Sequence, residues 1–306
     1  MLIFFLMVKE KKRVALISVF AAIFLTGFKL TIGILTGSLG ILSEALHSGL
    51  DLIAAVITFF SVRVSDKPAD REHNFGHGKI ENFSAFIETI LLVITCVWII
   101  YEAVGRLVSG KTHIEVTIWS YIVVISSILI DITRSRALSK VARKYNSQAL
   151  EADALHFSTD IWSSVVVLVG LICANFGLFF ADSIAALFVA IIVLYVSYRL
   201  GKRAVEVLLD KAPPDITSKV ERILGTYNEV MQFHSLKIRT SGADTFIKFN
   251  IHLSPASNLK DAHALCDRIE NELRAAIPRS EIYIHAEPQD NSHLQSEGEG
   301  QGKVIS

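Results

Sequence analysis

The chain has 306 residues, 51% of them apolar, with 30 basic and 30 acidic side chains and a formal net charge of zero. That balance excludes nucleic-acid binding driven by bulk electrostatics. The three cysteines, Cys96, Cys173 and Cys266, make no CxxC pair and no disulfide framework. Apolar runs fill the sequence before residue 205, and a more charged, ordinary sequence follows. The opening MLIFFLMVKEKKR puts its charges after its apolar residues, the reverse of a signal peptide, so no cleaved signal is expected.

A membrane-crossing helix needs about 20 apolar residues. Six segments qualify, at roughly 14–36, 41–64, 82–107, 116–137, 154–177 and 180–203. The loops Thr36–Leu39, Ser109–Glu115 and Asn175–Gly177 carry few charges. The opposite ends hold Lys9, Lys11, Lys12 and Arg13, then Arg134, Arg136, Lys140, Arg143 and Lys144, then Arg199, Lys202 and Arg203. By the positive-inside rule both termini are cytoplasmic. Lys29 falls inside the first segment, where it either snorkels or pairs within the bundle.

After Arg203 the pattern changes. DKAPPD (210–215) is a Pro-containing linker and a domain boundary. Ile216–Tyr227 reads as a helix. QFHSLKIRTSG and TFIKFNIHLSP each alternate apolar and polar residues like half-buried strands, with a hairpin turn near Gly242. Leu259–Ile277 reads as an amphipathic helix and Glu281–His285 as a short strand. The expected organisation is a transmembrane domain over 10–207, an αββαβ domain over 208–290, and a disordered Ser/Gly/Glu-rich tail over 291–306.

The second segment contains His47-x3-Asp51 and the fifth His156-x3-Asp160. Residues four apart share one face of a helix. If the two faces meet, two imidazoles and two carboxylates converge, a set that tetrahedral Zn2+ accepts. The two negative charges also offset the ion in a low-dielectric setting. One such pair could be an ordinary satisfied core pair; two matching pairs in separate segments point to function, as intramembrane ionisable groups usually do. In the loop SDKPADREHNFGHGKIEN, Asp70, His73 and His77 form a second candidate metal set, against the alternative of a solvated polar loop. A third comprises His234, His252, His263, His285 and Glu287 in the α+β domain, a donor mix suited to Zn2+ or a similar borderline metal.

Taken in order, TGSLGILSEALHSGLD, PADREHNFGHGK, ALEADALHFSTD, LLDKAPP and YIHAEP resemble the cation diffusion facilitators, proton-coupled exporters of divalent metals. The resemblance spans about residues 10 to 290. It implies six transmembrane helices, a cytoplasmic metallochaperone-like αββαβ domain and a homodimer in the lipid bilayer. It implies a transport site of His47, Asp51, His156 and Asp160, a loop site of Asp70, His73 and His77, and a dimer-interface site of His234, His252, His263, His285 and Glu287. Family members often carry Asp where Glu287 stands. Histidine at the first transport position resembles the zinc-preferring members, so Zn2+ is the expected cargo and regulatory ion, with other divalent metals open. The short chain, with no His-rich loop between the fourth and fifth segments, is similar to members of prokaryotic inner membranes. Two other readings stay open. One is a membrane metal sensor or scaffold that moves nothing. The other is an intramembrane metallohydrolase, weakened by the lack of an HExxH motif and of an open coordination position.

Overall fold

A computed structural model describes residues 2–36, 39–109, 118–175, 180–289 and 303–304. Six long helices come first: α1 (Leu2–Thr36), α2 (Leu39–Ser65), α3 (Lys79–Ser109), α4 (Ile118–Tyr145), α5 (Gln148–Asn175) and α6 (Phe180–Leu208). Each overlaps one of the six apolar segments. Several run beyond it, α1 beginning at Leu2 and α4 continuing to Tyr145. Lys, Arg and Glu are good helix formers, so the helix outlasts its apolar stretch. Among the described residues, three stretches are long and apolar enough to cross a membrane: Met7–Leu35, Ala45–Ser65 and Lys79–Gly105. Most of the expected inter-helix loops, and the tail after residue 290 apart from Lys303 and Val304, lie outside the described residues.

The helical unit buries polar groups and exposes apolar ones. Phe20, Phe24, Trp98, Tyr101, Trp162, Phe188 and Tyr195 face outward, while Lys29, Asp51, Thr58, Glu88, Asp131, Asp153 and His156 are buried. This polarity suits a hydrocarbon solvent, where ionisable side chains face the bundle interior. Lys29 is thus inside the bundle. Arg134, expected at the membrane surface, is also buried, at 5% exposure. Its guanidinium lies over the Phe157 ring, 3.4 Å from the centroid, and 3.2 Å from Asp131 Oδ1.

Helix α1 runs along α2 and α4 along α5, while α3 touches both α2 and α5. Ala22, Ala55, Ala149, Ala152 and Ala154 are buried among these helices, and such small residues let backbones approach. At Gly201 of α6, an added Cβ would stand 2.8 Å from Thr89 Cγ2. A buried ionic knot ties α1, α2, α3 and the start of α5. Lys11 Nζ donates to Asp66 Oδ1 (2.8 Å) and Glu81 Oε1 (2.6 Å), while Ser65 (3.0 Å) and Ser147 (2.5 Å) also donate to Glu81.

The chain divides into two units, Met1–Val205 and Glu206–Ser306. The second contains α7 (Pro214–Leu224), β1 (Gln232–Ser241), β2 (Asp244–Leu253), α8 (Leu259–Ala276), β3 (Ser280–Pro288) and β4 (Lys303–Val304). Pro214 occupies the first turn of α7, where its missing N–H costs nothing. Asn258 caps α8 by accepting from the Asp261 backbone N–H at 2.9 Å. The sheet order is β3-β2-β1-β4, with β1 antiparallel to β2 and β2 parallel to β3 through the α8 crossover. Gly242, at φ +60°, makes the hairpin turn. One sheet face carries Phe233, Ile238, Ile247, Phe249 and Ile251 into a core completed by Val220, Leu224, Leu265, Ile269 and Leu273. A bulge between His234 and Lys237, with Ser235 at φ +54°, lets Phe233 and Ile238 both face that core although five positions separate them.

Candidate metal centres

Helices α2 and α5 bring the two repeated pairs together. His156 Nε2 is 2.9 Å from Asp51 Oδ1 and 3.7 Å from Asp160 Oδ2. His47 Nε2 is 3.7 Å from Asp160 Oδ1 and 3.9 Å from Asp51 Oδ1. At a metal–ligand bond of about 2.0–2.1 Å, tetrahedral ligand atoms stand about 3.4 Å apart. The observed separations scatter around that edge length. Asp160 Oδ2 is buried with no hydrogen-bond partner among the described residues, so it is available as a ligand atom. One ligand atom each from His47, Asp51 and Asp160 falls within a single metal-sized cluster, and His156 touches both of its carboxylates. His47 and Asp160 also line a small pocket with Leu92, Cys96, Thr159, Ser163, Ala190 and Val193.

The loop before α3 gathers Asp70, His73 and His77. Asp70 Oδ1 accepts from the backbone N–H groups of Glu72 (3.0 Å) and His73 (2.6 Å). Gly76, at φ +72°, then turns the chain, its N–H bonded to the His73 carbonyl, so that His77 returns beside His73 with ring centroids 4.4 Å apart. Asp70 lies 3.3 Å from His73 Nδ1 and 3.4 Å from His77 Nε2. The His73 backbone N–H is the main cause holding the Asp70 carboxyl below the usual carboxylate range.

In the α+β unit, register explains the third cluster. His252 pairs with Glu287 across β2 and β3, and Asn250 with both His285 and His234. Strand side chains alternate, so His234, Asn250, His252, His285 and Glu287 share the sheet face opposite the apolar core. His234 and His252 approach to 3.0 Å between Nε2 atoms, and Glu287 Oε2 stands 3.5 and 3.3 Å from them. Asn250 donates to Glu287 at 2.9 Å, and His285 Nε2 is 3.2 Å from Glu287 Oε1. These separations also fit Zn2+. His263 stands apart on α8, exposed, 3.7 Å from Asp267 of its own helix.

Other buried ionisable residues escaped the pattern reading. Glu88 on α3, Asp131 and Arg134 on α4 and Asp153 on α5 are all buried in the bundle. They lack the repeated four-residue spacing, although their place in or beside apolar segments was itself a signal.

A family model described as the cation efflux transmembrane domain matches residues 15–209, and one described as the cation efflux protein cytoplasmic domain matches residues 212–289. The chain belongs to the cation diffusion facilitator family. It is 33% identical over 256 residues to a cation-efflux pump FieF of Yersinia enterocolitica, covering 83% of this chain and 84% of that protein. The FieF of Yersinia pestis is 32% identical over the same length. The solved metal-bound C-terminal domain of the CzcD transporter from Thermotoga maritima is 29% identical, covering 25% of this chain and 91% of that one, with a TM-score of 0.25. This facilitator is therefore a membrane-embedded cation efflux transporter, not an enzyme. Its helical transmembrane domain is followed by a cytoplasmic α+β domain.

Proposed function

We propose that this facilitator exports Zn2+ in exchange for protons by alternating access through six transmembrane helices, with both termini in the cytoplasm. The transport ligands are His47, Asp51, His156 and Asp160. The observation that carries this reading is the meeting of two separate helices at one point, with His156 Nε2 2.9 Å from Asp51 and 3.7 Å from the Asp160 Oδ2 atom, which has no hydrogen-bond partner among the described residues. Two imidazoles and two carboxylates at tetrahedral spacing favour Zn2+ over larger or octahedral ions. Imidazole must be deprotonated to ligate, so metal and protons compete for one site, which is coupling in its simplest form.

The cytoplasmic domain, over 208–290, pairs with a second copy in a homodimer. There His234, His252, His285 and Glu287 hold regulatory zinc, with His263 at the interface. The loop set of Asp70, His73 and His77 binds a further ion. Regulation follows if metal draws the paired domains together and so biases the bundle.

The test is zinc flux into proteoliposomes holding the purified protein, with and without an imposed pH gradient, beside His47→Ala and Asp160→Asn. The expected result is flux that follows the gradient and is lost in both variants while they remain folded. Full flux in either variant would remove these ligands from the transport site; flux indifferent to the gradient would remove antiport.

A further inference from the structure

The bundle contains a carboxyl that none of the three metal clusters uses. Glu88 of α3 is completely buried, at 0% exposure. Thr58 of α2 donates a short hydrogen bond to its Oε1, and Ser84 donates to the same oxygen at 3.3 Å. Its Oε2 is buried with no hydrogen-bond partner among the described residues. The ionisable groups that Glu88 feels most strongly come from α5: Asp153, which repels its charge, and His156 of the transport set. Asp153 is equally enclosed at 0% exposure; Ser18 donates to its Oδ2 at 3.4 Å, and its Oδ1 has no hydrogen-bond partner among the described residues. Arg134 of α4 and Asp51 of α2 are the other charges acting on Asp153.

Two fully buried carboxyls that repel one another cannot both be ionised cheaply, and among the described residues the hydrogen bonds to Glu88 come from hydroxyls, not from a lysine or arginine. The asymmetry of its two oxygens tells which form fits. Oε1 accepts two hydroxyls, as a carbonyl oxygen does, and Oε2 is left for an O–H. A purely structural role would be met by glutamine, whose amide accepts at Oε1 without bringing an ionisable group into hydrocarbon. An intramembrane acid in this position instead suits a proton site.

We propose that Glu88 is a proton-binding site of the transport cycle, separate from the metal ligands. It carries a proton when the site formed by His47, Asp51, His156 and Asp160 lacks metal. A dication entering that site favours the carboxylate electrostatically, so the Glu88 O–H bond breaks and one proton leaves as one divalent cation binds. When the metal departs, the carboxylate recovers its proton. This rests on the proton-antiport reading above and adds a second source of exchanged protons to the histidine ligands.

The experiment adds zinc chloride to the full-length protein in weakly buffered detergent and counts released protons with a pH dye, followed by proteoliposome flux as a function of pH. Wild type, Glu88→Gln and His47→Ala are compared. Glu88→Gln is expected to release about one proton fewer per zinc than wild type and to show a flatter pH profile of flux. Proton release and pH profile identical to wild type would overturn the role of Glu88 and leave antiport standing. Absence of proton release in wild type would overturn both. If Glu88→Gln does not fold, Thr58→Val replaces it: the carboxyl remains but loses a hydrogen bond that favours its ionised form. Its pH profile should shift to higher pH, and an unmoved profile overturns the proposal.

Discussion

Removing the charge of Glu81 offers a quantitative test of the bundle's construction. Glu81, Lys11 and Asp66 are 3, 3 and 6% exposed, so the knot is an ion triad withdrawn from solvent. Deleting one partner of a buried pair typically costs about 3–5 kcal/mol, because the other charge is stranded. Here Lys11 keeps Asp66 at 2.8 Å, so roughly half of that cost is recovered. A glutamine keeps one oxygen at the Oε1 position for Ser65, while its NH2 replaces Oε2 and can donate to the Ser147 hydroxyl, which then accepts. Glu81→Gln should therefore destabilise the bundle by about 2 kcal/mol, lowering its unfolding midpoint by roughly 4–8 °C for a domain of this size. The assay is thermal unfolding of detergent-purified protein, followed by intrinsic fluorescence. A double variant, Lys11→Met with Glu81→Gln, should regain much of the loss, since no lysine is left half-paired. A midpoint within 1 °C of wild type for Glu81→Gln would refute the argument, showing that Asp66 alone satisfies Lys11.

Three further outcomes are expected. Gly201→Ala places a methyl 2.8 Å from Thr89 Cγ2, and overpacking of about 1–3 kcal/mol exceeds the roughly 1 kcal/mol gained in helix propensity; the unfolding midpoint should fall, and adding Thr89→Ala should restore it. Phe249→Ala empties a fully buried position, costing about 3–5 kcal/mol, which lowers the unfolding midpoint of the cytoplasmic domain by at least about 12 °C; Lys248→Ala next to it, on the exposed side, should move it little. The depressed Asp70 carboxyl makes its contribution to loop stability above its unfolded titration range and loses it only as pH falls through the lower folded value. Asp70→Asn should remove that acid-side dependence and weaken zinc binding, as read by calorimetry at several pH values.

Much of the molecule is visible in its periodicities. The four-residue spacing of His47 with Asp51 and of His156 with Asp160 marks two helix faces, and the geometry joins them. The period-two alternation of β1 and β2 likewise puts His234 and His252 on one surface. What is hidden is what depends on how helices rotate against each other. Arg134 counts as one more basic residue in a charge tally, yet packing folds it onto Phe157. Lys11 sits among residues that look like a cytoplasmic fringe, yet it is sealed between Asp66 and Glu81, 55 and 70 positions away in the chain. No local spacing encodes such partners. His263 shows the converse: a histidine close in sequence to three others but facing away on α8.

The bulge in β1 is a spare residue, and it sets where that strand can change length. Before Ser235 the odd-numbered residues point to the core, and from Ile238 the even-numbered ones do. Deleting one residue at 235 or 236 would restore unbroken alternation, with Phe233 and Ile238 four positions apart and both still facing the core. A one-residue deletion between Ile238 and the turn has no bulge to absorb it, and would turn the side chains that follow to the wrong face. Insertions at the Gly242 turn meet no such conflict, because both strands keep their phase up to the turn. Variation in length among natural relatives should therefore collect at the hairpin and at the bulge, and avoid the regular part of β1.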